Sequence, residues 1–170
     1  MHLIPFFAVD PEPAARETRV MHTFVPQGKL PIGSYGLLEF YCPDPNCNCR
    51  RVMLNIAEEK GPNRFLASIS YGFDRDEEDA GPFLDPLNPQ SRYAEELLQL
   101  VEETVLSDPR YVARLERHYH LVKEAASNPT HPAYDKLQKV LAADADSFPL
   151  PRPARRTRNQ PRPRKSWRKR

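Results

Sequence analysis

Three cysteines are the residues of this sequence best suited to chemistry. Cys42, Cys47 and Cys49 are the only cysteines of the 170-residue chain, and they lie close together in it. An odd, clustered set indicates metal binding in a reducing compartment rather than a disulfide framework. Thiolate sulfur is the commonest ligand of structural zinc, which takes four ligands in a tetrahedron. We therefore predict that the three cysteines bind one zinc ion, and the alternative is three reduced cysteines without metal.

The loop that carries the cysteines has the residues of a tight turn. Pro43 and Pro45 restrict the unfolded chain, so less entropy is lost when the loop becomes ordered around an ion. Asn46 and Asn48 tolerate the positive φ angles that such a turn requires. The adjacent pair Arg50-Arg51 is expected to offset the charge of three thiolates.

The Cys-x4-Cys-x-Cys spacing supplies three ligands, so a fourth has to be another side chain or water. The candidates are His22, His118, His120, His131 and Asp44. With Leu115 at the centre of the apolar stripe of its helix, His118 lies about 60° and His120 about 140° from that centre. We therefore expect His118 to face the sheet and to be the fourth metal ligand, with a hydrogen-bonded core histidine as the alternative. His120 is expected to face solvent, and His22, on a strand beside the hairpin, is the second choice.

Hydrophobic periodicity predicts the elements that position these residues. Three runs with period-two alternation between Ser34 and Phe73 indicate an antiparallel meander, and the cysteine loop is its first connection. Helices are predicted from Ser91 to about Leu106, from Asp108-Pro109 to about Ala126, and from Pro132 to Ala143. The predicted fold class is α+β: a small antiparallel meander carrying a zinc knuckle and packed against two or three helices, followed by a disordered C-terminal tail.

The composition divides the chain into a body and a tail. Residues 1–148 are predicted to form the zinc-stabilised α+β domain, and the proline-rich segment 1–32 is predicted to be irregular apart from one strand near residues 18–25. Ten of the 25 basic residues and none of the 23 acidic residues lie in the last twenty positions. The rest of the chain therefore carries a net charge of about −8. Residues 149–170 are predicted to be a disordered basic tail.

The basic tail is suited to a polyanionic partner. Prolines keep such a segment extended, so its cations can follow a phosphate backbone, and Trp167 can stack on an unpaired base. The predicted nucleic-acid-binding residues are Arg155, Arg156, Arg158, Arg162, Arg164, Lys165, Trp167, Arg168, Lys169 and Arg170. The alternative is a solubilising tail, or one that rests on the acidic patch Asp74 to Asp79.

Two resemblances concern the cysteine region. The stretch Gly36 to Ile56, with its Tyr-Cys-Pro-Asp-Pro-x-Cys-x-Cys-Arg-Arg-Val core, resembles sequences of a bacterial protein family that has no established activity. The segments Asp108-Pro109-Arg110-Tyr111 and Arg117-His118-Tyr119 extend that resemblance over roughly residues 34–125. The Cys-x-Cys also resembles the SEC-C zinc motif of secretion-associated proteins. Here, however, Arg50-Arg51 follow and no second cysteine pair comes after, so SecB binding is not implied.

Catalytic signatures are absent from the sequence. It contains no Gly-rich phosphate loop, no His-Glu-x-x-His and no Gly-x-Ser-x-Gly. Neither a signal peptide nor a stretch of transmembrane length is present, so a cytoplasmic protein is expected. We predict a non-catalytic zinc-binding accessory module that contacts nucleic acid or a nucleoprotein assembly through its tail. The alternatives are a protein–protein adaptor that acts through the acidic body and a metal-dependent enzyme of unknown substrate.

Overall fold

The described part of the chain is an antiparallel sheet with helices packed on it. The structure, a computed structural model, describes residues 3–59, 64–74, 76 and 80–147, with side chains up to residue 143. Within these residues it contains six strands in one sheet and four α-helices. The prediction of an α+β fold is confirmed. None of the described helices is both long and apolar enough to cross a membrane.

The predicted meander forms the centre of the sheet. The strands are β1 (Ile4–Pro5), β2 (Arg19–Thr23), β3 (Gly33–Tyr41), β4 (Arg51–Glu58), β5 (Ala67–Gly72) and β6 (Phe83–Leu84). Their order is β1-β3-β4-β5-β6, and β2 pairs with β3 as well. Leu37 pairs with Ile56, and Leu54 pairs with Ile69. All four side chains are buried, because alternate residues of a strand share one face.

Three of the four described α-helices agree with the periodicity to within a few residues. The helices are α1 (Pro11–Glu17), α2 (Ala94–Val101), α3 (Pro109–Ser127) and α4 (Tyr134–Ser147), and a π-helical turn, Glu102–Leu106, continues α2. Helix α3 begins where it was predicted, because the Asp108 side chain accepts a hydrogen bond from the Arg110 N–H at 2.9 Å. Helix α2 begins later than predicted: Ser91 Oγ accepts from the Tyr93 N–H at 3.1 Å, one turn before the helix.

The N-terminal segment is more ordered than predicted. The predicted strand near residues 18–25 is present as β2, but the rest of residues 1–32, which was predicted to be irregular, also contains β1, a 3-10 turn at Phe6–Ala8 and α1. Pro11 occupies the first turn of α1, where its missing N–H has no helical partner to lose. Phe6 and Val9 are buried in the same core as the sheet. The predicted boundary at residue 148 and the predicted disordered tail lie outside the described residues.

Helix α3 covers the centre of the sheet. Its buried face includes Tyr111, Leu115 and Val122, which belong to the core formed with the strands. His118 is buried on this helix, and His120 is exposed. Helical periodicity therefore predicted correctly which of these two histidines faces the sheet.

Candidate metal centre

The fold brings the three cysteine sulfurs together. Cys42 follows β3 directly, and Cys47 and Cys49 lie in the connection to β4. Their three Sγ atoms all lie within 4.8 Å of one another. Two sulfurs bound to one zinc ion at about 2.3 Å are about 3.8 Å apart, so a small closure of the loop would complete such a site. The three cysteines could therefore hold a metal ion, and thiolate donors fit zinc.

Hydrogen bonds within the loop bend it around the sulfurs. The Cys47 N–H donates to the Asp44 carbonyl at 3.2 Å, and the Asn46 N–H donates to Asp44 Oδ1 at 2.9 Å. The loop then joins the sheet, because the Phe73 N–H donates to the Arg50 carbonyl at 2.9 Å. Among the described residues other than glycine, the positive φ angle is at Arg50, at 20°, and not at the asparagines as expected.

Side chains of helix α3 bind the cysteine loop. Lys123 Nζ donates to the carbonyl oxygens of Asp44 and Cys47 and lies 5.2 Å from the centre of the Tyr119 ring. Glu116 Oε1 accepts from Arg50 Nη2 at 2.6 Å. Glu116, Tyr119 and Lys123 are three and four residues apart and so share one face of the helix. The cysteine loop is thus attached to α3 as well as to its own strands.

The cation that contributes to lowering the pKa of Cys42 is not one of the two arginines expected to do so. Arg50 also binds Asp74, with Nε 2.8 Å from Oδ2, so two carboxylates neutralise its guanidinium. The guanidinium of Arg51 lies 5.6 Å from the centre of the Phe83 ring. The ammonium of Lys123 contributes to lowering the pKa of Cys42 and therefore offsets thiolate charge. No sequence signal linked this lysine to the cysteine loop.

The thiols interact with one another. A hydrogen bond from the Cys49 thiol is the main cause that lowers the pKa of Cys42 to about 6. The same bond, together with burial, raises the pKa of Cys49 far above its ordinary value. Burial also raises the pKa of Tyr119, and negative charge on Cys49 and Cys47 adds to this rise. A bound metal ion would replace the shared protons, because its ligands are thiolates.

His118 is buried as predicted, but it is not placed among the sulfurs. Its Nδ1 lies 2.6 Å from Glu39 Oε2, and its Nε2 lies 3.0 Å from Glu17 Oε2. The ring stacks on Phe6 with the centroids 3.9 Å apart. At about 100° per residue, His118 lies about 140° around the helix from Lys123, the residue that binds the cysteine loop. The structure therefore favours the alternative of a hydrogen-bonded core histidine over a fourth ligand.

The other candidate ligands do not join the sulfur group either. His22 Nδ1 lies 2.9 Å from Ser34 Oγ, and His131 Nδ1 accepts from the Ala133 N–H at 3.1 Å. Asp44 Oδ1 is the acceptor of the loop hydrogen bond described above, and His120 is exposed. In the part of the chain that the structure describes, no histidine, aspartate or glutamate joins the three cysteines.

A buried polar cluster, formed by Glu39, Tyr41, Arg114, His118 and Glu17, was missed from the sequence. The Glu39 side chain is 5% exposed, and its Oε2 also accepts from the Tyr41 hydroxyl at 2.9 Å. Arg114 Nη2 lies 3.9 Å from Glu39 Oε1. Burial, followed by the charge of Glu39, raises the pKa of Tyr41 well above its ordinary value. The strand pattern contained a signal of this burial, because Glu39 lies on the same face of β3 as the apolar Leu37 and the aromatic Tyr41.

The cleft beside this cluster is too small for a substrate. It is lined by both glutamates, His118 and apolar side chains including Phe6, and its volume is about 20 Å³. That space accommodates about one water molecule. The cluster is therefore a packed part of the interior that joins α1 and α3 to β3.

The predicted nucleic-acid-binding residues, from Arg155 to Arg170 and including Trp167, lie outside the described residues. The chain matches no protein-family model, no curated protein and no solved structure. Inference about its function thus depends on the geometry of its own residues.

Proposed function

We propose that this chain is a non-catalytic zinc-binding accessory module that contacts nucleic acid or a nucleoprotein assembly through its basic tail. The convergence of Cys42, Cys47 and Cys49 supports the metal part of the proposal. Zinc is the preferred ion because three thiolates are typical of its structural sites. The nucleic-acid part is supported by the basic composition of residues 151–170.

A stabilising role for the ion follows from the position of the loop. The cysteines connect β3 to β4, and Lys123 and Glu116 bind the same loop to α3. An ion that closes the loop would fix the backbone carbonyls to which Lys123 donates. Metal binding would in this way stabilise the contact between the sheet and the helix, because free energy of binding to the folded state adds to folding stability.

The catalytic alternatives have less support. A nucleophilic pair between a knuckle cysteine and His118 needs the two within hydrogen-bond reach. Both ring nitrogens of His118 are instead within that reach of glutamate oxygens. The adaptor function of the acidic body stays a prediction.

Metal analysis tests the first part of the proposal. We expect the purified full-length protein to contain one equivalent of zinc, and Cys42→Ser, Cys47→Ser and Cys49→Ser to lose it. Asn48→Ser is the matched control, because it changes the same loop without removing a sulfur, and it should keep the ion. A folded wild-type protein that neither contains nor takes up zinc would refute the proposal.

Nucleic-acid binding is tested in the full-length chain. A variant in which the ten Lys and Arg residues of the tail are changed to Gln should bind RNA and DNA more weakly than the wild type. The slope of log Kobs against log salt should become shallower, because fewer counterions are released. The control changes Arg16, Lys136 and Lys139 of the body to Gln. Filter binding that is identical for tail variant and wild type would remove this part of the proposal.

A further inference from the structure

The proposed zinc site has a coordination position that no described residue fills. This inference rests on the proposed function, in which three of four tetrahedral positions are cysteine sulfurs. Among the described residues, no histidine, aspartate or glutamate joins the group formed by the three sulfurs. Three protein ligands with one free position are also the arrangement found where zinc exchanges a ligand.

Part of the cysteine loop lies at the surface of the protein. Cys42 is buried at the end of β3, whereas Cys47 and Cys49 are partly exposed. Their neighbours Asn46 and Asn48 are exposed as well. On the inner side the loop is covered by Tyr119 and Lys123 of α3. A ligand can therefore approach the ion from solvent, past the two outer sulfurs, without displacing the helix.

The chemistry of the donors selects the ligand that would bind there. Zinc with three thiolates is a weak Lewis acid, so a water in the fourth position is held loosely and is not strongly ionised. A borderline-soft ion already bound to sulfur accepts a further sulfur in the common four-thiolate arrangement. The ammonium of Lys123 beside the loop would offset the additional negative charge.

We propose that the fourth position of the metal centre binds an external thiol as its thiolate. The S–H bond breaks, the sulfur electron pair forms the bond to zinc, the proton passes to solvent and the bound water leaves. The thiol can be a small molecule or a cysteine side chain of a second copy of this chain. The two sources share one chemistry, and the experiment separates them.

Cobalt(II) substitution of the full-length protein tests this inference. Tetrahedral cobalt replaces zinc and has visible and near-ultraviolet bands that report on the number of sulfur ligands. Adding 2-mercaptoethanol should increase the sulfur-to-cobalt charge-transfer absorbance by about one third, since three sulfurs become four. Ethylene glycol, its oxygen counterpart, is the matched control and should leave the spectrum unchanged. A rise in the same band with protein concentration alone would identify a cysteine of a second copy as the ligand.

This experiment distinguishes failure of the external-thiol inference from failure of the proposed metal site. If cobalt binds with a three-sulfur spectrum that neither thiol nor protein concentration changes, a residue of the chain closes the site and the present inference is wrong. A four-sulfur spectrum cannot arise from one chain, which has three cysteines, so without added thiol it would identify a cysteine of a second copy as the fourth ligand. If no cobalt or zinc binds at all, the proposed function itself is wrong.

Discussion

Removal of the buried carboxylate of Glu39 should be among the most damaging single substitutions in this protein. The side chain is 5% exposed and accepts hydrogen bonds from the Tyr41 hydroxyl at 2.9 Å and from His118, whose Nδ1 is 2.6 Å away. In Glu39→Leu, the Tyr41 hydroxyl keeps a second acceptor, the Leu115 carbonyl at 3.1 Å. His118 Nδ1 loses its acceptor inside the protein, and Arg114 Nη2 loses the carboxylate that lies 3.9 Å away.

The magnitude follows from these lost partners. A hydrogen bond to a charged group contributes about 1.5–3 kcal/mol, and a buried donor left without an acceptor costs about 1–3 kcal/mol. We expect Glu39→Leu to lower the free energy of unfolding by about 3–5 kcal/mol, as for other buried pairs from which one partner is removed. Glu95→Leu, at an exposed position of α2, is the control and should change it by less than about 0.5 kcal/mol.

Urea denaturation of Glu39→Leu, His118→Leu and the double variant measures this effect. The double variant should lose less stability than the sum of the two single variants, with a coupling of about 1–3 kcal/mol, because both partners are then apolar. His118→Leu should also keep its full zinc content. A decrease in the free energy of unfolding of less than about 1 kcal/mol in Glu39→Leu would show that the hydrogen bonds of this cluster contribute little to stability. If His118→Leu loses zinc, the assignment of His118 to the cluster is wrong.

Three further substitutions test other contacts. Lys123→Met should lower zinc affinity about 10–100-fold, measured in competition with a chromophoric chelator, because the loop carbonyls lose their donor. Lys139→Met, at an exposed position of α4, is the control and should have no effect. Equal zinc affinities for the two variants would contradict the role of Lys123. Gly81→Ala should destabilise the protein by about 1–3 kcal/mol in urea, because residue 81 has φ of 81° and a Cβ would lie 2.8 Å from the Ser70 carbonyl oxygen. Gly36→Ala, where the nearest atom is 4.0 Å away, is its control, and a similar loss in both would dismiss the steric argument. Asp108→Ala should cost about 1 kcal/mol through the lost helix cap, measured by the denaturant midpoint, and an unchanged midpoint would show that this cap is dispensable.

The sequence pattern of a single segment was sufficient to predict those strands and helices whose structure depends mainly on their own residues. The meander followed from alternation in β3, β4 and β5, and the start of α3 followed from Asp108-Pro109. The proximity of the cysteines followed from their spacing, because a short loop cannot separate them far. Pro11 shows the opposite case: the proline-rich composition of residues 1–32 predicts irregular structure, although Pro11 lies in the first turn of α1.

Contacts between distant segments could not be predicted in this way. The helical period placed His118 on the buried side of α3, but the buried side spans more than one neighbour. Glu39 and Glu17 meet His118 on one part of it, and the cysteine loop meets Lys123 on another. The relative rotation of the helix on the sheet decides between them, and no single segment encodes that rotation. The family resemblance and the nucleic-acid contact of the tail stay predictions.

The position of the cysteines in the order of the chain has a consequence for how the protein is made. All three sulfurs leave the ribosome within one short stretch, well before α3 is synthesised. All three candidate ligands are therefore present before the helix that bears Lys123. If the proposed ion binds the nascent hairpin, it is held more weakly there than in the finished domain, and the docking of α3 would tighten it.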